Sequence, residues 1–154
     1  MRKILLSFSS DYYEILRNGN KVFEYRKRFC DEEVLAYIYL GKPIQKIVGI
    51  ALLGKRINLS DWYDMYTDKN TRLRIEDFMT RNRYAMPIKS YQTIEPIPII
   101  EIKKLFPDFY IPLSFRNLSD EDELTKYLIE HTRKIGTEVI HKFDNIEPKN
   151  ICEM

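Results

Sequence analysis

Little in this chain of 154 residues invites metal or disulfide chemistry, since it carries two cysteines and two histidines. Cys30 and Cys152 stand far apart, with no CxxC or Cys/His spacing. That excludes a zinc motif and a disulfide scaffold and fits a reduced compartment. His131 and His141 have neither a second histidine nor a carboxylate at ligand or dyad spacing, and both read as structural. No metal or cofactor is expected. Also missing is an apolar run long enough for a membrane span or a signal peptide, because Ser9, Ser10 and Asp11 interrupt the one that follows Arg2 and Lys3. A cytoplasmic location with no membrane partner is the expectation. There is no GxSxG elbow, so Ser114 reads as a turn or backbone-binding residue rather than a nucleophile. No repeat or low-complexity segment is found. With a net charge of +2, the strongly cationic field of a histone-like binder is excluded, and any nucleic-acid site must be a local patch.

What is present is globular. The chain is 44% hydrophobic and 31% charged, and its 13% aromatic content can supply both a core and a stacking surface. Its length suits one domain with a tail. Lys3–Phe8 is a short apolar run that predicts a buried strand, followed by cap residues at Ser9, Ser10 and Asp11 and a helix with Tyr12, Ile15 and Leu16 on its inner face. Asn18-Gly19-Asn20 ends that helix. A strand from Lys21 would put Phe23 and Tyr25 on one face, and Glu24, Arg26 and Arg28 on the other.

Val34–Gly41 and Ile44–Gly54 predict two further strands, with Gly49 marking a bulge or a close backbone approach. Leu59–Asn82 predicts two short helices. The stretches RYAMPIKSYQTI and IPIIEIKKL return to strand composition, with Pro87, Pro96 and Pro98 at edges, bulges or strand starts. A last helix, capped by Ser119 and running to Gly136, has Leu124, Tyr127, Leu128, His131 and Ile135 at helical spacing; residues 137–154 read as an appended tail. The order is α+β without Rossmann alternation, and fits a small mixed barrel with one helix plugging its end.

The spacing Gly19-x-Lys21-x-x-Glu24-x-Arg26, after a strand and a helix, resembles the signature of ASCH domains, a branch of the PUA-like superfamily. LLSFSSDYYEILRNG, KPIQKIVGIA and YIPLSFRNL resemble other parts of that family in the same order. The resemblance covers residues 3–118. It implies a small mixed PUA-like β-barrel with a helix at its end and inserted short helices, an ASCH domain over 1–118, and leaves the extra C-terminal helix and tail over 119–154 unexplained. It also implies an RNA or nucleotide ligand, with a regulatory role in translation or transcription.

Some bacterial ASCH proteins are N4-acetylcytidine amidohydrolases proposed to use a lysine after the glycine, a threonine three residues later and a distant glutamate. Lys21 matches the lysine; Glu24 stands where the threonine would be, and Glu76 is the counterpart of the glutamate. Other members resemble ribonucleases. If the protein is an enzyme, Lys21, Glu24 and Glu76 are its catalytic candidates.

As a binding site, the cluster Gly19, Lys21, Glu24, Tyr25, Arg26 and Arg28 would form a cationic cleft for RNA or a nucleotide-like ligand. Arg26 would grip a phosphate or a base edge, Glu24 would orient it, and Lys21 would add charge from the turn. Against this stands a plain structural role, in which Glu24 and Arg26 pair to fix the barrel mouth and Lys27 is solvated surface. Tyr12, Tyr13, Tyr37, Tyr39, Tyr84 and Tyr91 are either stacking rings or core, with core favoured, and Trp62 is a packing anchor. A protein-interaction module acting through the last helix is the third reading, and the sequence leaves monomer or homodimer open.

Overall fold

The computed structural model describes residues 1–153. Eight strands run in chain order as β1 (Arg2–Phe8), β2 (Phe23–Arg26), β3 (Val34–Leu40), β4 (Lys46–Leu53), β5 (Ile57–Asn58), β6 (Tyr84–Pro98), β7 (Phe115–Leu118) and β8 (Val139–Ile140). Five helices join them: α1 (Tyr13–Arg17), α2 (Leu59–Met65), α3 (Lys69–Met79), α4 (Ile99–Leu105) and α5 (Glu123–Glu130). The sheet order is β2-β6-β4-β3-β1-β7, with β5 and β8 adding to β6. Among the described residues only β1 and β3 pair in parallel; the remaining pairs are antiparallel. The mixed sheet curls into a half-barrel, the α+β architecture the sequence predicts.

Strand alternation sorts the core into separate layers. On β1, Ile4, Leu6 and Phe8 enter one cluster with Ala36, Ile38 and Leu40 of β3, and Leu16 of α1 closes it. The opposite face sends Leu5, Tyr37 and Tyr39 into a second cluster covered by Ile99 and Ile102 of α4 and Leu124 and Leu128 of α5. A third cluster joins Phe23 and Ala85 to Leu59, Trp62, Ile75, Ile151 and Cys152. Gly49 is a close approach, as expected: a methyl group there would run into the Tyr91 ring.

Three local expectations change. IPIIEIKKL is not a strand beyond Pro98; α4 begins there, because Pro98 sits at its N-cap and Ile99 and Ile102, three apart, bury one face while Lys103 and Lys104 meet its carbonyl end. The last helix is capped at Asp122 and stops at His131, not at Gly136, since Lys134 bridges Ile94 and the Ile135 amide bonds the Thr93 carbonyl. Tyr12 faces outward, leaving Leu16 as the buried residue of α1.

The segment expected as an appended tail is packed into the fold. β8 pairs with β6, Ile151 and Cys152 are buried, and the Arg74 guanidinium donates to the carbonyls of Pro148 (2.7 Å) and Ile151 (3.2 Å). Among the described residues, no helix is long and apolar enough to cross a membrane.

Candidate functional site

The motif begins on a turn that only glycine makes without strain. Gly19 follows the Asn18 cap of α1 with φ +86°, and a methyl group there would sit 3.1 Å from a Val139 side-chain carbon. His141 holds this turn: its Nε2 lies 2.9 Å from the Gly19 carbonyl and its Nδ1 lies 2.8 Å from the Ile88 carbonyl. A neutral ring donates one of these two bonds and an imidazolium both. The structural role expected for His141 is thereby given a partner, the glycine turn itself.

The Lys21 amide donates to the Ile15 carbonyl, and β2 then pairs with β6 so that Glu24 lies opposite Met86 and Arg26 opposite Tyr84. Cross-strand partners share a face. Met86 and Tyr84 belong to the first core cluster, so Glu24 and Arg26 project toward the interior of the half-barrel, where an unpaired charge would be costly. They are not left unpaired. Glu24 Oε2 accepts from Arg26 Nη2 at 2.8 Å and Nε at 3.2 Å, and its Oε1 lies 3.5 Å from Lys21 Nζ and accepts the Tyr25 amide at 3.0 Å. Lys21 is 5% and Glu24 7% exposed.

Arg26 spans the open side of the half-barrel. Its Nη2 donates to the Ser7 carbonyl at 2.8 Å and its Nη1 to Ser114 Oγ at 3.4 Å, tying β2 to the end of β1 and to the segment before β7. The Glu24–Arg26 pair thus fixes the barrel mouth. Ser114 serves backbone and side-chain bonding, its carbonyl accepting the Ser7 amide at 2.8 Å.

Above this floor opens a cleft of about 320 Å³, lined by Tyr12, Lys21, Glu24, Tyr25, Phe78, Arg81 and Asn82. The Lys21 ammonium lies 5.7 Å from the Tyr12 ring centre and 5.5 Å from that of Tyr25, within cation–π range. Tyr25 stands edge-on to Phe78 at 4.7 Å, and its hydroxyl accepts the Cys152 amide at 2.9 Å. Burial pushes the Tyr25 phenol well above its ordinary range, so it stays neutral, and burial pushes the Cys152 thiol up to about 12.

Lys21, Glu24, Tyr25 and Arg26 are therefore brought together, while Gly19 makes the turn before them against Val139 and His141. Arg28 lies past the end of β2 and is exposed. Glu76 is not brought to the cluster: it accepts the Tyr63 hydroxyl at 3.1 Å between α3 and α2 and does not line the cleft. Tyr37, Tyr39, Tyr84 and Tyr91 are buried core, and Trp62 packs edge-on to Phe23 at 4.9 Å. Phe78, Arg81 and Asn82 are cleft residues that sequence reasoning missed. Nothing local marks them, because they reach the motif through the register of β6 against β2.

A larger groove of about 390 Å³ lies elsewhere, between Glu95, Glu101, Tyr127 and His131, and contains none of the motif residues. Among the described residues, no group of three or more His, Cys, Asp or Glu side chains is placed to hold a metal ion.

No protein-family model and no curated protein matches the sequence. Solved structures do. The ASCH protein of Zymomonas mobilis superposes with a TM-score of 0.67 at 19% identity, covering 87% of this chain and 98% of that one. A tyrosine-to-phenylalanine variant of the same protein gives 0.66 at 20% identity, over 86% and 99%. A serine-to-alanine variant gives 0.65 at 19% identity, over 84% and 96%. The fold of this chain is that of an ASCH domain.

Proposed function

We propose that the protein binds RNA or a nucleotide-like ligand in the cleft above the Lys21–Glu24–Arg26 cluster. One observation carries this reading: an open cleft has aromatic walls, Tyr12, Tyr25 and Phe78, set around an ammonium and above a buried carboxylate. A base stacks on such rings, and its exocyclic amine can donate to a carboxylate such as Glu24. The fold supports the reading by analogy and does not supply it. Lys21, not Arg26, is the motif cation that lines the cleft, because all the Arg26 bonds described above are internal.

A second reading is a hydrolase of a modified nucleoside, N4-acetylcytidine-like, or of RNA, using the same cleft. What favours it is the buried Lys21–Glu24 pair facing the cavity, an arrangement suited to passing a proton to or from a bound group. Glu76 has no part in it, and the hydroxyl nucleophile expected of the amidohydrolases is replaced by Glu24.

Binding of short single-stranded RNAs and of free nucleosides, N4-acetylcytidine included, to the wild type and to Lys21→Ala tests both readings when products are separated by chromatography. Arg26 still pairs Glu24 in Lys21→Ala, so the carboxylate is not left without a counter-ion. The expected result is salt-sensitive binding that weakens at least tenfold in Lys21→Ala, without product. Product formed by the wild type and lost with Lys21 would establish the hydrolase, and an absence of both binding and product would remove the cleft from the account.

A further inference from the structure

The cations free to meet phosphate are not those of the motif. Lys21 and Arg26 both converge on Glu24, which neutralises much of the floor of the cleft. Lys27, Arg81 and Arg83, by contrast, are exposed and form no ion pair among the described residues. They gather around a second cavity of about 330 Å³, next to the first. Arg81 and Asn82 line both cavities and form their common wall.

This placement is built into the fold. The Arg83 amide donates to the Arg26 carbonyl at 3.0 Å, which sets Lys27, the next residue, beside the corner where α3 turns into β6. Asn82 is pinned to that corner by donating its side-chain amide to the Phe78 carbonyl at 3.2 Å. Three like charges converging without a carboxylate raise the local positive potential, although the whole chain carries only +2.

Resting on the function proposed above, we infer that the ligand is a single-stranded oligonucleotide, with one nucleoside seated in the aromatic cleft and the adjoining phosphates held in the second cavity by Lys27, Arg81 and Arg83. The division of labour follows from the chemistry of each cavity. The first offers ring faces and one acceptor, which suit a base; the second offers unpaired cations, which suit phosphodiesters and carry no sequence information. A free nucleoside uses the first alone.

The test compares a labelled RNA hexanucleotide with free cytidine and uridine, each titrated against the wild type, Lys27→Gln/Arg83→Gln and Lys27→Glu. The two altered positions line only the second cavity. The expected result is that the hexanucleotide binds more tightly than either nucleoside. Its salt slope should fall in the double variant by about 0.7 for each phosphate contact removed, and nucleoside binding should stay unchanged. Lys27→Glu, a single exposed change, should weaken the hexanucleotide further even if Arg83, which packs 5.3 Å from the Tyr84 ring centre, proves to matter for folding. Nucleosides binding as tightly as the hexanucleotide, or an unchanged salt slope in all variants, would overturn the inference and leave the cleft assignment standing. No binding by the wild type would sink both.

Discussion

Glu24 receives Lys21 at 3.5 Å and Arg26 at 2.8 Å while being 7% exposed, so one carboxylate neutralises two cations that strand geometry turns inward. Removing its charge leaves the buried Lys21 and the partly buried Arg26 without a counter-ion, and breaking such a pair costs about 3–5 kcal/mol. Glu24→Gln should therefore lower the stability read by urea unfolding by roughly that amount, at the upper end of what a single polar change does. A loss below about 1 kcal/mol would mean that water or rearrangement relieves the cluster, and that its burial has been overstated. The spacing of Gly19, Lys21, Glu24 and Arg26 was legible in the sequence, as was the shared face of Glu24 and Arg26, because alternation is a local rule. What was not legible is which face is inside. That depends on Met86 and Tyr84, cross-strand partners far along the chain, and the same register brings in Phe78, Arg81 and Asn82.

The elements that hold the site in place include the segment that looks least structured in the sequence. β8 lies on β6, His141 joins the Gly19 turn to Ile88, and the Cys152 amide bonds the Tyr25 hydroxyl at the cleft wall. Ile151 is fully buried among Phe23, Trp62 and Ile75. Truncating it should cost about 2–5 kcal/mol, the range for a buried isoleucine that leaves a cavity. Ile151→Ala followed by urea unfolding checks this, and a cost under about 1 kcal/mol would return the C-terminal segment to the status of a loose tail. Sequence pattern failed here for a physical reason: EPKNICEM has no periodicity, and the short pair Ile151-Cys152 shows its role only once a groove between helices exists to receive it. α4 was misread on similar grounds. A short run such as IPIIEIKKL fits a strand or a helix equally well until Pro98 is seen to start a turn against β4, where the Ile99 amide bonds the Gln45 carbonyl at 3.0 Å. By contrast α2 and α3 were readable as two short helices, and in the structure Asp68 caps α3 with bonds from the Thr71 amide at 3.0 Å and hydroxyl at 2.7 Å.

Taken as a whole molecule, the half-barrel separates its charges in space more than its net charge of +2 suggests. Lys27, Arg81 and Arg83, unpaired among the described residues, gather beside the aromatic cleft, while Glu95 and Glu101 outnumber Arg133 in the larger groove next to the stacked Tyr127 and His131 rings, 3.9 Å apart. An anionic ligand approaching this surface is drawn toward one side of it, in a manner that salt weakens. The larger cavity is thus the poorer candidate for a phosphate-bearing ligand. The most direct test of the central claim is an amide chemical-shift map of the whole chain titrated with a single-stranded RNA hexanucleotide at low salt. The account predicts that the shifts cluster at Lys21, Tyr25, Lys27, Arg81 and Asn82 and shrink as salt is raised. Shifts confined to the Glu95–His131 groove, or no shifts at all, would contradict it.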